Sequence, residues 1–356
     1  MKLKKKEKIC LVIIILFSII SILFTLNNDN FYKKEIMKIN SIETKEEEVV
    51  TNPFGFKERY KKLEVKGIIT NGKNKGNEEV ITYDESYSSI VTEKYRKGDK
   101  VFISNHDIDT LKRDTYIVAF IDIFIILMFL LAKYRGLITI ANTLFNTLIF
   151  YFGLELYFKG MNLLLLCMIE AVVFTTISLL VSSGRNKKTY SAIISSIVST
   201  IILLIMSLVI IKLTDYKGTN FNELSFLTVP FEDVFIASIM MGGLGAIMDV
   251  CITISSSIAE LIEKDKNISR KALVKSGKEI GRDIMGTMIN VLFFTYLATG
   301  LPVFILALRN GYSISNYINN NFNLEITRFL TGSIGIVLSI PISLFISLKI
   351  FKKEED

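Results

Sequence analysis

Histidine is almost missing from this chain: His106 stands alone among 356 residues. No cysteine or second histidine lies near it, so the sequence holds no zinc site of the usual ligand sets. Cysteine is scarce too. Cys10, Cys167 and Cys251 each fall in an apolar run, which excludes a disulfide framework in an extended loop. The motifs of common catalysis are absent: there is no HExxH, no GxSxG and no phosphate-binding P-loop. Gly243–Ala246 reads GLGA, but no strand precedes it and the third glycine of a dinucleotide fingerprint is missing. Asp122 and Asp249 fit an intramembrane aspartyl protease poorly, because Asp249 closes GAIMD rather than a GxGD motif. No arginine–aromatic module for nucleic acid is present. These absences point to a chain that is not an enzyme, with no cofactor, no resident metal and no nucleic-acid partner.

What is present is apolar sequence. Half of the residues are hydrophobic, and they are concentrated in runs of roughly 17–25 residues, the length that spans a bilayer as a helix. One run covers 9–26 behind a basic start, KLKKKEK, with no Ala-x-Ala-like cleavage site after it. It reads as an uncleaved anchor, with residues 1–26 forming a basic cytoplasmic terminus and membrane helix. Seven more runs lie near 116–132, 137–152, 163–181, 191–213, 231–257, 284–308 and 329–350. The formal charge of +7 comes mostly from Lys and Arg beside these runs, so it reports topology. The connections at 133–135, 185–188, 264–282 and 349–353 are basic, those around 155–159 and 309–328 are less so, and that at 215–233 is net acidic. Eight spans with both termini cytoplasmic satisfy this alternation. The abundance of Ile, Lys and Asn fits an AT-rich bacterial genome, hence a bacterial cytoplasmic membrane.

The region between the first two spans has a different texture. Residues 27–60 are polar and charged and read as an extracytoplasmic linker or stalk. Residues 61–105 alternate like short strands, at 63–70, 80–83, 90–92 and 101–103, with turn signals at Asn71-Gly72 and Lys97-Gly98-Asp99. They predict a small antiparallel β domain, OB-like, outside the membrane. The fold class is therefore an α-helical polytopic membrane protein of about eight transmembrane helices, with that β domain between helices 1 and 2. Residues 116–351 form the seven-helix transmembrane domain. Within it, 258–282 reads as an amphipathic cytoplasmic connector, one or two helices lying at the membrane surface.

The stretch from Ser238 to Asn290 organises the membrane part. Gly242, Gly245, Ala246, Asp249, Thr253 and Ser256 fall three or four apart, so a helix places them in one stripe. Asp283, Gly286, Thr287 and Asn290 repeat the device. Gly242, Gly245, Ala246 and Gly286 read as positions of close helix packing. The Ser255-Ser256-Ser257 run reads as the end of a span, its hydroxyls bonding back to carbonyls. Ionisable groups in hydrocarbon cost roughly 2.5–3.5 kcal/mol on insertion scales. That makes Asp249 and Glu170 candidates to bind an ion or substrate, with Asp249 about nine residues, or about 13 Å, from the cytoplasmic end of its span. Asp122 lies closer to the outer surface. Asn290, Asn142 and Asn146 enter their spans from the same side. The expectation is one inward-facing polar cluster, with Asp283 and Arg282 at its mouth; interhelical hydrogen bonding is the alternative role for the three asparagines.

The residues GGLGAIMDVCITISSSIAEL, with GRDIMGTMINVLFFTYLATGLP at Gly281–Pro302, resemble the YibE/F-like family of bacterial multi-pass membrane proteins. The anchor, the small external β domain ending in KGDKV and seven clustered spans fit that resemblance. It implies that Gly245, Asp249, Gly281, Arg282, Asp283, Gly286, Thr287 and Asn290 match the family's signature positions. Residues 27–60 stand outside the pattern. The resemblance supports the topology and carries no substrate.

Two functions from different classes fit. One is a transporter or permease component, moving an ion or small polar solute through a polar seam lined by Asp249 and Asn290. No inverted repeat is visible between the halves. The alternative is a non-transporting membrane scaffold or sensor whose external β domain binds a ligand or partner. The partners expected are the lipid bilayer and either a second copy of the chain or another membrane protein.

Overall fold

In hydrocarbon a backbone must satisfy its own polar groups, so each apolar run closes into a helix. The computed structural model describes residues 4–51, 55, 57–87, 92–213 and 230–351. Among these, eight helices are long and apolar enough to cross a membrane. The chain divides into two units, Met1–Leu137 and Ile138–Asp356.

The first unit holds α1 (Lys5–Asn27), five strands and α2 (Asp114–Ala132), and reaches into the start of α3 (Tyr134–Phe158). The strands are β1 (Glu35–Thr51), β2 (Lys57–Ile69), β3 (Glu78–Ser86), β4 (Lys100–Ser104) and β5 (Asp107–Leu111). They form one antiparallel sheet in the order β3-β2-β1-β4-β5. Met37, Ile39, Leu63, Val65, Ile69, Ile81, Val101 and Ile103 turn to one side and make its core with Tyr95. The outer halves of β1 and β2 run on as an exposed ribbon, where Arg59 pairs with Glu47 and Lys62 with Glu46.

The sheet thus begins at Glu35, inside the 27–60 segment read as a linker, and β1 is its central strand. The reason is chemical. From Glu43 to Glu48 the strand is nearly all charged, and it is held by backbone pairing with β2, whose basic residues face its glutamates. Hydropathy does not register such a strand. The strand expected at 90–92 falls, apart from Thr92, outside the described residues. Asn71 is the knot of this unit. Its Oδ1 accepts from the Ile36 N–H at 2.7 Å, and its Nδ2 donates to the carbonyls of Asp29, Tyr32 and Lys34.

Helices α1 and α2 pack together through polar contacts. Ser21 Oγ donates to Asp122 at 2.6 Å, and Lys133 pairs with Glu7 at 2.8 Å. Lys112, almost fully buried, donates to the Thr25 carbonyl and pairs with Asp114. Asp122 therefore has an interhelical partner.

The second unit contains most of α3, then α4 (Leu163–Ser183), α5 (Lys187–Leu213), α6 (Phe231–Lys264), α7 (Arg270–Arg309), the short α8 (Ile314–Tyr317) and α9 (Asn323–Phe351). Helices α5, α6 and α9 pack against one another, α4 lies on α5 and α6, and α7 on α6 and α9. Association in lipid depends on close approach, because apolar side chains gain little by leaving lipid for protein. Here the contact faces are lined by small residues. Ser191, Ser195, Ser196, Ser199 and Ser207 on α5 are buried, as are Gly332, Gly335, Ser339, Ser343 and Ser347 on α9. Gly281 lets α7 approach α9, since a methyl there would meet Ile340 at 2.5 Å.

One expectation changes. Residues 258–282 are not separate surface helices. Helix α6 runs on to Lys264 and α7 starts at Arg270, leaving only a tight turn between them. Unbroken propensity explains this: no Pro or Gly interrupts 258–264, and Ser269 caps α7 by accepting from the Ala272 N–H. With 34 and 40 residues, the two helices run about 51 and 60 Å, well beyond a hydrocarbon layer of about 30 Å. Helix α6 also continues through the 255–257 serine run. Ser255 is buried, and its hydroxyl meets those of Ser191 at 3.2 Å and Ser347 at 3.1 Å. The acidic connection expected at 215–233 lies, up to residue 229, outside the described residues.

Candidate functional site

Among the described residues of the second unit, Glu170 is the carboxylate with the least exposure. It sits on the second turn of α4, whose start is capped by the Asn162 side chain. Glu170 is 4% exposed. Its Oε1 lies against Gly153 of α3, where any side chain would collide with it. That oxygen has no hydrogen-bond partner among the described residues, and no cation pairs with the carboxylate there.

Toward the other end of the same interface, Asn142 and Asn146, one turn apart on α3, both donate to Ser178 Oγ of α4, at 3.1 and 2.8 Å. Their Oδ1 atoms are buried without partners. The antiparallel pairing of α3 and α4 thus places Glu170, Asn142 and Asn146 along one seam. On the inner side of α4, Thr175 and Thr200 line a cavity of about 30 Å³ with Met168, Ala171, Met240 and Leu244. Both threonine hydroxyls are buried and unpartnered. The cavity has room for about one water-sized guest. That cavity is lined almost wholly by apolar side chains and is separate from the seam, where the carboxylate of Glu170 and the two asparagine oxygens are the polar groups.

Asp249 is placed differently. It is exposed on α6, with Gly242, Gly245 and Thr253 on the same face. Among the described residues its carboxylate has no hydrogen bond or ion pair; only its backbone carbonyl is used, by Thr253 Oγ1 at 2.7 Å. The expectation that the glycine stripe turns Asp249 into the bundle is therefore corrected. The inward face of α6 is the neighbouring one, Gly243, Ile247, Cys251 and Ser255, which packs on α5 and α9. Asn290, Thr287, Gly286 and Asp283 are likewise exposed, on the side of α7 turned away from the buried Leu292. A methyl at Gly245 or Gly286 would meet open space, so neither packs against another helix among the described residues. Gly242 does pack, beneath the Tyr296 hydroxyl of α7, and Ala246 is half-buried against α7 and α9. The single polar cluster expected from Asp249, Asn290, Asn142 and Asn146 is therefore not assembled. The two α3 asparagines join Glu170, while Asp249 and Asn290 occupy separate outer faces.

Gly153, Ser178, Thr175 and Thr200 were not singled out by the sequence. Ser178 lies eight residues, two turns, beyond Glu170, a spacing that places both near one side of α4. Gly153, just past the 137–152 run, is the only glycine between Gly136 and Gly160.

No curated protein and no solved structure matches the chain. Family models do. The YibE/F family N-terminal domain matches residues 30–119, which brings the 30–60 segment into the family pattern, in accord with β1 and β2. The model described as YibE/F-like protein matches residues 120–353, the helices from α2 onward. Together the two matches cover nearly the whole sequence, and the chain belongs to the YibE/F-like family.

Proposed function

We propose that this integral membrane protein is a transporter or permease component for a small ion or polar solute, and that the α3–α4 seam around Glu170 is its binding position. One observation carries the reading: a buried carboxylate, with no cation beside it and an unpartnered oxygen, lies in line with two unpartnered asparagine oxygens. A lone charge in that setting is costly unless a bound proton or cation offsets it. Asp249 and Asn290 are then polar faces along the route, or faces covered by a second copy or another membrane protein. We place both termini in the cytoplasm and the sheet outside, on the charge alternation. The strand order, with β3 and β5 close at the two edges, supports an OB-like reading of the sheet.

A second reading, a scaffold or sensor, rests on a polar cleft of about 470 Å³ in the sheet unit, lined by Glu35, Asn74, Glu79 and His106 among others. Thermal unfolding in detergent across ions, pH and polar solutes separates the two. A ligand at 100 times its Kd adds about 2.7 kcal/mol to stability. Transport at Glu170 predicts a stabilising solute for the wild type that fails to stabilise Glu170→Gln. Equal stabilisation of Glu170→Gln contradicts it.

A further inference from the structure

The first four turns of α7 carry a charge arrangement that transport at Glu170 does not use. Arg270, Lys271, Lys275, Lys278 and Arg282 are all exposed. At 100° per residue they fall within an arc of roughly 140°. Glu279 and Asp283 lie beyond one edge of that arc, and the buried Leu273 and Gly277 beyond the other. Among the described residues none of the five cations forms an ion pair or a hydrogen bond through its side chain. Arg270, Lys271, Lys275 and Lys278 form one open surface with Val274 among them. The apolar run of α7 begins at Ile284, two residues past Arg282. By helix rise, Lys278 and Arg282 stand within about 10 Å of the hydrocarbon, and Lys275 about one turn above Lys278. Arg270 and Lys271 follow farther out.

We propose that this face binds the headgroup of an anionic phospholipid. The charge complement is local: five cations share one face, and the acidic residues of the same turns are turned off it. Lysine stems and Val274 offer apolar surface to the glycerol region while the ammonium groups reach the phosphate. A basic face placed where the helix enters lipid has anionic headgroups as its nearest abundant partner, and each Lys or Arg near such a surface adds to the attraction. The site is independent of what the α3–α4 seam carries.

The test uses the full-length protein in a neutral detergent. Thermal unfolding is followed with phosphatidylglycerol, with phosphatidylcholine, and with inorganic phosphate at the same phosphate concentration. Phosphatidylglycerol is expected to raise the wild-type midpoint by roughly 3–5 °C over phosphatidylcholine. The variant K271Q/K275Q/K278Q is expected to lose more than half of that shift. The charge-matched control K188Q/K264Q/K266Q, off this face, keeps it. The wild type should also lose the shift in 0.5 M salt, which gives a readout if the triple variant fails to fold. An undiminished shift in the variant, an equal loss in the control, a shift that survives salt, or the same shift with inorganic phosphate overturns the proposal.

Discussion

Glu170 of α4 fills the space beside Gly153 of α3 that any larger residue at 153 would occupy. The two helices close over the carboxylate because one of them has no side chain there. This ties a local sequence choice, a glycine in an apolar helix, to the position of the least exposed carboxylate among the described residues of the second unit.

Gly153→Ala is therefore expected to move the Glu170 carboxylate, the flexible end of its side chain, rather than to part the helices. Stability should change by less than about 1 kcal/mol, the gain in helix propensity offsetting the rearrangement. Solute-dependent stabilisation should fall at least tenfold in apparent affinity. Thermal unfolding with and without the stabilising solute measures both quantities. An unchanged affinity would show that the position of the carboxylate does not matter.

The hydroxyls of Ser191, Ser255 and Ser347 meet where α5, α6 and α9 cross, with oxygens 2.9–3.2 Å apart. Interhelical hydrogen bonds in lipid average about 0.6 kcal/mol. Ser255→Ala should thus cost about 1 kcal/mol or less. Ser255→Leu has no space to enter and should cost about 1–3 kcal/mol or more. Unfolding in detergent gives the order, and a leucine variant as stable as the wild type contradicts the packing described.

Asn71 satisfies four backbone groups between Asp29 and Ile36 from a position 1% exposed. Asn71→Ala strands those groups and should destabilise the sheet unit by about 2–4 kcal/mol. Hydrogen exchange should report faster opening at the Ile36 amide, while the second unit keeps its protection. Unchanged exchange there would mean that water replaces Asn71 without loss.

Glu93 adds a pH dependence. Burial alone would raise its pKa, but Arg113 and the Leu111 N–H, with Thr110, outweigh burial and hold it below its usual value. A carboxylate depressed in the folded state stabilises fully above its unfolded pKa, about 4.3, and loses that contribution as the pH falls through the lowered value. The sheet unit should weaken on acidification below about pH 4, and Glu93→Gln should flatten that limb. Exchange at the Leu111 amide across pH is the readout; an identical acid limb in Glu93→Gln would assign the effect elsewhere.

Much of this architecture is legible in the sequence, because lipid imposes one rule on every apolar run. Eight runs gave eight helices, and alternation at Leu63, Val65 and Ile69 gave the inward face of β2. What hydropathy misses is pairing. The charged Glu43–Glu48 segment is a strand because its backbone pairs with β2, whose basic residues lie beside it. Rotation is the other gap. Asp249 and Ser255 sit on one helix, six residues apart, yet one is exposed and the other fully buried. A stripe of small residues marks a helix face without saying which neighbour it meets, and on α6 the packed stripe is the adjacent one, through Gly243 and Ile247. Glu170, Asn142 and Asn146 were visible as polar residues in spans. Their convergence was not, since it depends on the antiparallel register of α3 and α4 and on Gly153.

The most direct test is ion flux through the purified protein in proteoliposomes, recorded as currents on a solid-supported membrane after jumps of pH, of monovalent and of divalent cations. The wild type is expected to pass a current with one of these ions, and Glu170→Gln, folded to the same extent, to pass none. A Glu170→Gln current equal to that of the wild type would contradict the assignment of Glu170 as the binding carboxylate.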